Sequence, residues 1–246
     1  MKIHIVSTCW NESAMIPFYL RHYSAFADKI IIYDDASTDG TREKIAANPK
    51  AEVKNWPYKS GMDDNIFMKF WQEVYRSQRG QCDWIILPDI DEFIWAKEGV
   101  RNVLDKAEKE GFDAVATEGF NMTGDGTLTQ DGVPHDVGQQ LVDTLTHGVA
   151  APVYAKPIVF KPTANINWNR GRHALENCSP KITPTPRLKL LHYRYMGFEY
   201  SKARNARNYE RVGPDKGCAW SCAPTYKGEH SAEWSIIAKE KSFKVS

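Results

Sequence analysis

The sequence predicts an α/β protein with a mostly parallel central sheet flanked by helices. Strand and helix patterns alternate through the first hundred residues, which is typical of parallel strands joined by right-handed helical crossovers. Two apolar runs also end in clustered carboxylates: residues 30–41 (IIIYDDASTDGT) and residues 84–93 (WIILPDIDEF). A buried parallel strand that delivers acids to the carboxyl edge of its sheet has this pattern.

The first half of the chain supplies four strands and three helices in alternation. The predicted strands cover residues 2–8, 29–33, 51–56 and 84–87, and the predicted helices cover residues 16–27, 41–47 and 63–79. In the first helix Ile16, Leu20 and Tyr23 share one face. Pro17 lies in its first turn, where a missing N–H costs little.

The second half has a less regular pattern. A helix is predicted over residues 99–111, strands over residues 114–118, 153–160 and 188–195, and a basic helix over residues 198–212. Residues 121–138 are rich in glycine and aspartate and predict a long loop, which we expect to act as a lid that becomes ordered when a ligand binds. Residues 213–246 are predicted to form a tail.

Composition limits the class of protein. A chain of 246 residues with a net charge of +1 predicts one soluble domain with no nucleic-acid partner. No run reaches the roughly 18 apolar residues that span a bilayer, so we expect a cytoplasmic protein with at most peripheral membrane contact. Cys218 and Cys222 are close enough to form a disulfide, but reduced thiols are the simpler interpretation.

The first acidic constellation is the run from Asp34 to Thr41. Turn-forming residues after a strand place aspartates at its mouth, where one carboxylate can accept a hydrogen bond from the N–H of a nucleotide base. A turn with a capping Asp or Ser is the alternative.

The second constellation is Asp89-Ile90-Asp91-Glu92. Acids at i and i+2 project to the same side of an extended segment, and two close carboxylates repel unless a cation or proton lies between them. The pair therefore predicts a Mg²⁺ or Mn²⁺ site shared with substrate phosphates. N-capping or surface ion pairs remain the alternative.

Two shorter motifs lie near other strand ends. Asn11-Glu12 follows the first strand, and His192-Tyr193-Arg194 lies in an apolar region near the C-terminus. His192 is a candidate third metal ligand beside Asp91, although a lone histidine is more often structural. Arg194 and Lys202 are candidates for phosphate contacts.

These residues together resemble family 2-type glycosyltransferases of the GT-A fold, near the branch that grades into family 92-like enzymes. The resemblance rests on Asn11-Glu12, the helix with Pro17, Tyr19 and His22, the run DDASTDGT, and DIDEF after WIIL. It is good over residues 1–95, which would form a Rossmann-like nucleotide-binding half, and looser over residues 96–212, the acceptor half.

The resemblance implies a metal-dependent enzyme, inverting at the sugar carbon, with a UDP- or GDP-type nucleotide-sugar donor and a glycan, lipopolysaccharide or other hydroxyl acceptor. The implied nucleotide-binding residues are Thr8, Trp10, Asn11, Glu12, Asp35, Ser37, Asp89 and Arg194. The implied ligands of Mn²⁺ or Mg²⁺ are Asp89, Asp91 and His192.

The general base is the point at which the sequence departs from the family. No clear acidic pair follows the acceptor-side strand, so the candidates are Asp125 and Glu118, which come first because they follow or end the strand at residues 114–118, and then Glu176 and His173. A phosphohydrolase of the haloacid dehalogenase type is an alternative function, because it also places DxD after an apolar strand. A binding module that has lost catalysis is another.

Overall fold

The computed structural model describes residues 1–58, 63–124, 138–195, 198–212 and 243–245. The strands in these ranges are β1 (Ile3–Cys9), β2 (Lys29–Asp34), β3 (Ala51–Asn55), β4 (Trp84–Ile86), β5 (Glu92–Trp95), β6 (Thr117–Gly124), β7 (His147–Ala150), β8 (Val159–Phe160), β9 (Leu188–His192) and β10 (Phe243–Lys244). The α-helices are α1 (Ile16–Ser24), α2 (Thr41–Ala46), α3 (Asp64–Ser77), α4 (Val100–Lys109), α5 (Leu141–Thr144) and α6 (Phe198–Val212). Short 3-10 helices cover Pro152–Tyr154 and Arg170–Arg172.

The first sheet has the strand order β3-β2-β1-β4-β8. Strands β1 to β4 run parallel, and β8 pairs antiparallel with β4 at one edge. Ile3, Ile5, Ile30, Ile32 and Ile85 have no exposed surface, because both faces of this sheet are covered. The predicted α/β fold, with a mostly parallel central sheet flanked by helices, is confirmed.

Helices α1 and α3 contribute their apolar faces to the same core. Helix α1 has Pro17 in its first turn, as predicted. Helix α3 begins after Asp63, whose carboxylate accepts hydrogen bonds from the N–H groups of Asn65 and Ile66 at 2.8 and 3.2 Å. This N-cap satisfies two backbone donors that the helix itself leaves unpaired.

A second, mixed sheet was not predicted. Its strand order is β10-β7-β6-β9-β5, and β6 and β9 form its one parallel pair in the described part of the chain. Strand β5 was missed because it follows the acidic run directly and begins with a charged residue. Glu92 is nevertheless 1% exposed.

Strand β6 corrects the prediction of a strand at residues 114–118 followed by a loop at residues 121–138. It runs from Thr117 to Gly124, and Ala114 makes only isolated bridges. Polar residues concealed the strand, since Asn121 and Thr123 are buried in it. Residues 125–137, which include Asp125 and most of the expected lid, lie outside the described residues.

The predicted strand at residues 153–160 is also corrected. The first residues of the predicted strand lie in a 3-10 helix at Pro152–Tyr154, and only the last two, Val159–Phe160, form strand β8. Pro157 has no N–H to donate to a sheet ladder, which is the physical reason for the interruption. Strand β9 ends at His192, three residues before the predicted end.

Gly119 in β6 lets the 3-10 helix approach this strand closely. A Cβ atom at this position would lie 2.5 Å from the carbonyl oxygen of Ala151 and 2.5 Å from the carbonyl carbon of Tyr154. Backbone atoms cannot yield as a flexible side chain can, so Gly119 is required for the position of Tyr154.

We expect Gly119→Ala to lower the free energy of unfolding by about 1–3 kcal/mol, the usual cost of overpacking. The measurement is urea denaturation followed by circular dichroism. The control is Glu118→Ala at the exposed neighbouring residue, which should stay within about 0.5 kcal/mol of wild type. Equal stabilities for the two variants would contradict the assigned packing.

Candidate active site

A cavity of about 440 Å³ lies at the carboxyl ends of β1, β2 and β4. In a sheet of order 3-2-1-4 this is where consecutive crossovers diverge, and ligands bind at such a point in open α/β sheets. Eight of the residues predicted to bind nucleotide or metal line it: Thr8, Trp10, Glu12, Asp35, Asp89, Asp91, His192 and Arg194. The strand ends therefore bring together residues that are far apart in sequence.

Asn11 and Ser37 do not line the cavity, although both were predicted to bind nucleotide. The Asn11 N–H donates to the Ser37 hydroxyl at 2.8 Å, and the Thr38 N–H donates to the Asn11 side-chain oxygen at 2.8 Å. Asn11 has a φ of 52°, a left-handed conformation that asparagine tolerates better than most residues. These bonds join the loops after β1 and β2.

The two aspartates at the end of β2 differ in their surroundings. The carboxylate of Asp34 is buried and accepts hydrogen bonds from Arg42 at 2.8 Å and from the Ser37 N–H at 3.1 Å. Asp35 is 6% exposed and lines the cavity. Asp34 therefore holds the turn that presents Asp35.

Asp89 is paired with two protein cations. Its carboxylate oxygens lie 2.9 Å from Lys156 Nζ and 2.6 Å from Arg172 Nη2, and Lys156 also lies 2.5 Å from Glu92 Oε1. Burial alone would raise the pKa of Asp89, but Lys156 and Arg172 lower it to about 2. Burial likewise disfavours the charged form of Lys156, yet Asp89 and Glu92 hold its pKa above the ordinary value.

Asp91 faces a different set of partners. Its Oδ2 atom lies 2.5 Å from Arg204 Nη1 and 3.3 Å from His192 Nε2. Burial opposes ionisation here too, but Arg204 and His192 hold the pKa of Asp91 well below its usual range. Asp91 is therefore ionised at neutral pH.

Arg204 on α6 also holds Glu12. Its Nε and Nη2 atoms donate to Glu12 Oε1 at 3.0 and 2.8 Å. Burial nevertheless keeps the pKa of Glu12 raised, because desolvation outweighs the attraction of Arg204. One guanidinium thus bridges two acids that come from the ends of different strands.

The second sheet places His192 beside the acidic turn. His192 on β9 lies opposite Asn121 of β6 on one side and Glu92 of β5 on the other. Its Nδ1 atom is 2.9 Å from Asn121 Oδ1, and its ring lies 4.0 Å from the ring of Tyr154. Both contacts fix the ring so that Nε2 faces Asp91.

Asp91 and His192 fit a divalent metal ion as a partial ligand set. A carboxylate oxygen and an imidazole nitrogen converge, and Asn121 supplies the outer hydrogen bond that orients a metal-binding histidine. Asp89, predicted as a further ligand, has both oxygens paired with cations instead. No group of three or more His, Cys, Asp or Glu side chains in the described ranges is arranged to hold a metal, so phosphate oxygens or water would complete the coordination.

Sequence reasoning did not foresee the cations that compensate the acids. Arg172 follows a glycine with a φ of 81° in the short 3-10 helix Arg170–Arg172. Lys156 lies in the irregular segment after the other 3-10 helix, Pro152–Tyr154. Neither has a periodic pattern around it. Arg204 could have been found from the sequence, because it lies on the helix that was predicted to be basic.

Two of the candidate general bases lie away from this cavity. Glu118 is exposed and lines a second cavity beside Trp95 and Lys189. Glu176 is exposed and does not line the first cavity. His173, the remaining described candidate, does line it.

The described cysteines Cys9, Cys82 and Cys178 are free thiols, and the pair Cys218 and Cys222 falls outside the described residues. Among the helices that the structure describes, none combines the length and apolar character needed to cross a membrane.

No protein-family model and no curated protein matches the sequence. Among solved structures, glucosyl-3-phosphoglycerate synthase from Mycobacterium tuberculosis, in complex with Mn²⁺, UDP-glucose and phosphoglyceric acid, is 19% identical with a TM-score of 0.39, over 65% of this chain and 57% of that one. A 4-diphosphocytidyl-2C-methyl-D-erythritol synthase is 10% identical with a TM-score of 0.38, over 65% and 75% of the two chains. Mannose-1-phosphate geranyltransferase from Thermus thermophilus is 7% identical with a TM-score of 0.33, over 55% and 47%. This chain therefore spans little more than half the length of the mycobacterial enzyme.

We expect Arg204→Met to lower the free energy of unfolding at pH 7 by about 3–5 kcal/mol, because it leaves two buried carboxylates without their shared cation. Urea denaturation measures the loss. Lys202→Met is the matched control on an exposed face of the same helix and should cost less than about 0.5 kcal/mol.

The same variant reports on metal binding. A divalent ion can replace the guanidinium as the counter-charge of Asp91, so Mn²⁺ should raise the melting temperature of Arg204→Met more than that of wild type. Equal Mn²⁺ effects on the two proteins would contradict the shared position of the guanidinium and the metal.

Proposed function

We propose that this protein is a metal-dependent glycosyltransferase that moves a sugar from a nucleotide-sugar donor to a hydroxyl acceptor, with inversion at the sugar carbon. The observation that carries the proposal is the convergence of Asp91 Oδ2 and His192 Nε2, 3.3 Å apart, at the sheet edge where Thr8, Trp10 and Asp35 line the same cavity. A cavity of about 440 Å³ is in the range of small-molecule sites.

The donor would lie across the ends of β1, β2 and β4. Thr8, Trp10, Glu12 and Asp35 would surround the base and ribose, and a carboxylate such as that of Asp35, which can accept several hydrogen bonds, would accept one from a base N–H. Uracil and guanine have such a ring N–H, which a cytosine nucleotide lacks, in agreement with the proposed UDP- or GDP-type donor.

The diphosphate would lie near Asp91, His192 and the guanidinium groups of Arg194 and Arg204. Asp91 and His192 would hold Mn²⁺ or Mg²⁺. When bound, the ion acts as a Lewis acid that stabilises the charge on the leaving diphosphate. Both arginines line the cavity and carry permanent positive charge, and charge-assisted hydrogen bonds to phosphate are strong.

The walls of the cavity would also protect the donor from water. Trp56, Phe67, Met68 and Trp71 form an apolar wall, and Arg172 stacks over Trp71 at 4.1 Å. Such a wall strengthens electrostatic contacts to the substrate and limits hydrolysis. The acceptor class proposed is a glycan or a related hydroxyl compound, as in surface polysaccharide synthesis.

A haloacid dehalogenase-type phosphohydrolase would use an Asp89 oxygen as its nucleophile. Because Lys156 and Arg172 engage both oxygens of Asp89, the structure gives this function no specific support. Turnover of a generic phosphate ester that is abolished in Asp89→Asn would reverse this judgement.

The test of the proposal is a thermal-shift panel of UDP, GDP, CDP and TDP, each with and without Mn²⁺. A ligand at about 100 times its Kd adds roughly 2.7 kcal/mol, which corresponds to roughly 5–10 °C for a protein of this size. We expect one nucleotide to give a metal-dependent shift that Asp91→Asn removes. Asp105→Asn, at an exposed position on α4, should keep the full shift.

The second step of the test is a transfer assay with the matching sugar donors. A metal-independent shift, or none with any nucleotide, would overturn the proposed donor site. Binding without transfer or slow donor hydrolysis would instead point to a non-catalytic binding module.

A further inference from the structure

His173 has a fixed hydrogen-bond geometry. It follows the 3-10 helix Arg170–Arg172, and its Nδ1 atom lies 2.7 Å from the carbonyl oxygen of Val153. A carbonyl oxygen can only accept a hydrogen bond, so Nδ1 must carry the hydrogen. In the neutral ring, Nε2 is therefore the atom with the free lone pair.

The Nε2 edge of the ring lies against the backbone of Gly171. A Cβ atom at Gly171 would come within 3.1 Å of Nε2 and 2.8 Å of Cδ2, so a larger residue could not occupy this position with the ring in place. Gly171 and His173 both line the cavity. Within the described ranges no side chain or backbone group hydrogen-bonds Nε2.

The charges around His173 favour the neutral ring. Burial and then the ammonium of Lys156 lower its pKa, and the contact with the Val153 carbonyl, Glu92 and Asp89 oppose this effect more weakly. Arg172 beside it is paired with Asp89. Tyr154, whose ring centroid is 6.2 Å away, has a pKa raised to about 12 by burial and stays protonated.

Of the other candidate proton acceptors that line the cavity, Asp35 is assigned to the nucleotide base and Asp64 lies 3.7 Å from Arg170 Nε. The remaining six are engaged or stay protonated. Asp89 and Glu92 are paired with Lys156, and Asp91 and Glu12 are paired with Arg204. Burial and the nearby Asp34 raise the pKa of the Cys9 thiol, so no thiolate forms. His192 Nε2 faces Asp91.

We propose that His173 is the general base of the transfer reaction. Its Nε2 atom accepts the proton of the acceptor hydroxyl as the hydroxyl oxygen bonds to the anomeric carbon. At the same time the bond from that carbon to the diphosphate oxygen breaks, and the electron pair leaves with the nucleoside diphosphate. The Val153 carbonyl stabilises the imidazolium through Nδ1–H. This inference rests on the proposed function.

The test uses His173→Asn, because the asparagine amide can still donate to the Val153 carbonyl while no group replaces Nε2. We expect kcat to fall about 10²- to 10⁴-fold, the usual contribution of general base catalysis. The nucleotide- and Mn²⁺-dependent thermal shift should be unchanged. His147→Asn, a partly buried histidine on β7 outside the cavity, is the matched control and should keep wild-type kcat.

The pH profile gives an independent readout. The pKa of His173 is lowered from its ordinary value, so the fall in wild-type kcat should begin below the pH at which an ordinary imidazole titrates, about 6.5. Below the pKa of His173, protonation of Nε2 should reduce kcat about tenfold per pH unit. In His173→Asn this acidic limb should disappear. A variant with wild-type kcat and the same acidic limb would overturn the proposal.

Failure of the proposed function can be distinguished from failure of this inference. A wild-type protein that binds nucleotide and Mn²⁺ but transfers no sugar would overturn both the proposed glycosyltransferase function and the assignment of His173 as its general base. If transfer occurs, nitrogen-15 NMR of the histidine rings should show His173 as the Nδ1–H tautomer at pH 7. A ring protonated on Nε2 at that pH would overturn the assignment of the base alone.

Discussion

At the carboxyl edge of the first sheet, several acidic side chains lie out of water and need positive charges beside them. Glu12, Asp89, Asp91 and Glu92 come together there, and all but Asp89 are at most 6% exposed. Uncompensated carboxylates in such a place would cost several kcal/mol each. Lys156, Arg172 and Arg204 supply the counter-charges, so the fold has to deliver three cations to one edge.

The need for these cations explains the irregular second half of the chain. A regular helical crossover would place its residues on a face of the sheet, whereas Lys156 and Arg172 must reach over the end of β4. The short 3-10 helices permit this, because each turns the chain within three residues. The close approach at Gly119 fixes the first of them, and the second sheet holds Asn121, His192 and Glu92 in register.

The parallel half of the fold was predicted well, because apolar runs such as residues 30–33 and 84–87 are typical of strands that are buried on both faces. The prediction also brought Asp35 and Asp91 to a common edge, since both follow parallel strands. His192, which lies on β9 of the second sheet, was grouped with them only as a candidate metal ligand and through the family resemblance. The cations were missed because Lys156 and Arg172 are defined by tertiary pairing and not by a local pattern. Strands β6 and β5 were missed because each contains a buried polar residue, Asn121 in β6 and Glu92 in β5, whose burial also depends on tertiary pairing. Asn11 and Ser37 have the residue types of a ligand contact, but their short side chains instead join two loops.

The two parts of this charge cluster differ in how easily a ligand cation could replace the protein cation. One part is Lys156 with Asp89 and Glu92, and the other is Arg204 with Asp91. Lys156 is shared by Asp89 and Glu92. Arg172 would still pair with Asp89 if Lys156 moved, but Glu92 would be left without a cation. Arg204 lies on α6 and contacts Asp91 at the oxygen that also faces His192. A guanidinium and a divalent ion cannot occupy that point together. If Asp91 and His192 hold a divalent ion as proposed, Arg204 would have to move away from Asp91, while its bonds to Glu12 could keep it beside the cavity. In the proposed function, the guanidinium freed from Asp91 would then be one of the cationic groups that face the diphosphate of the donor.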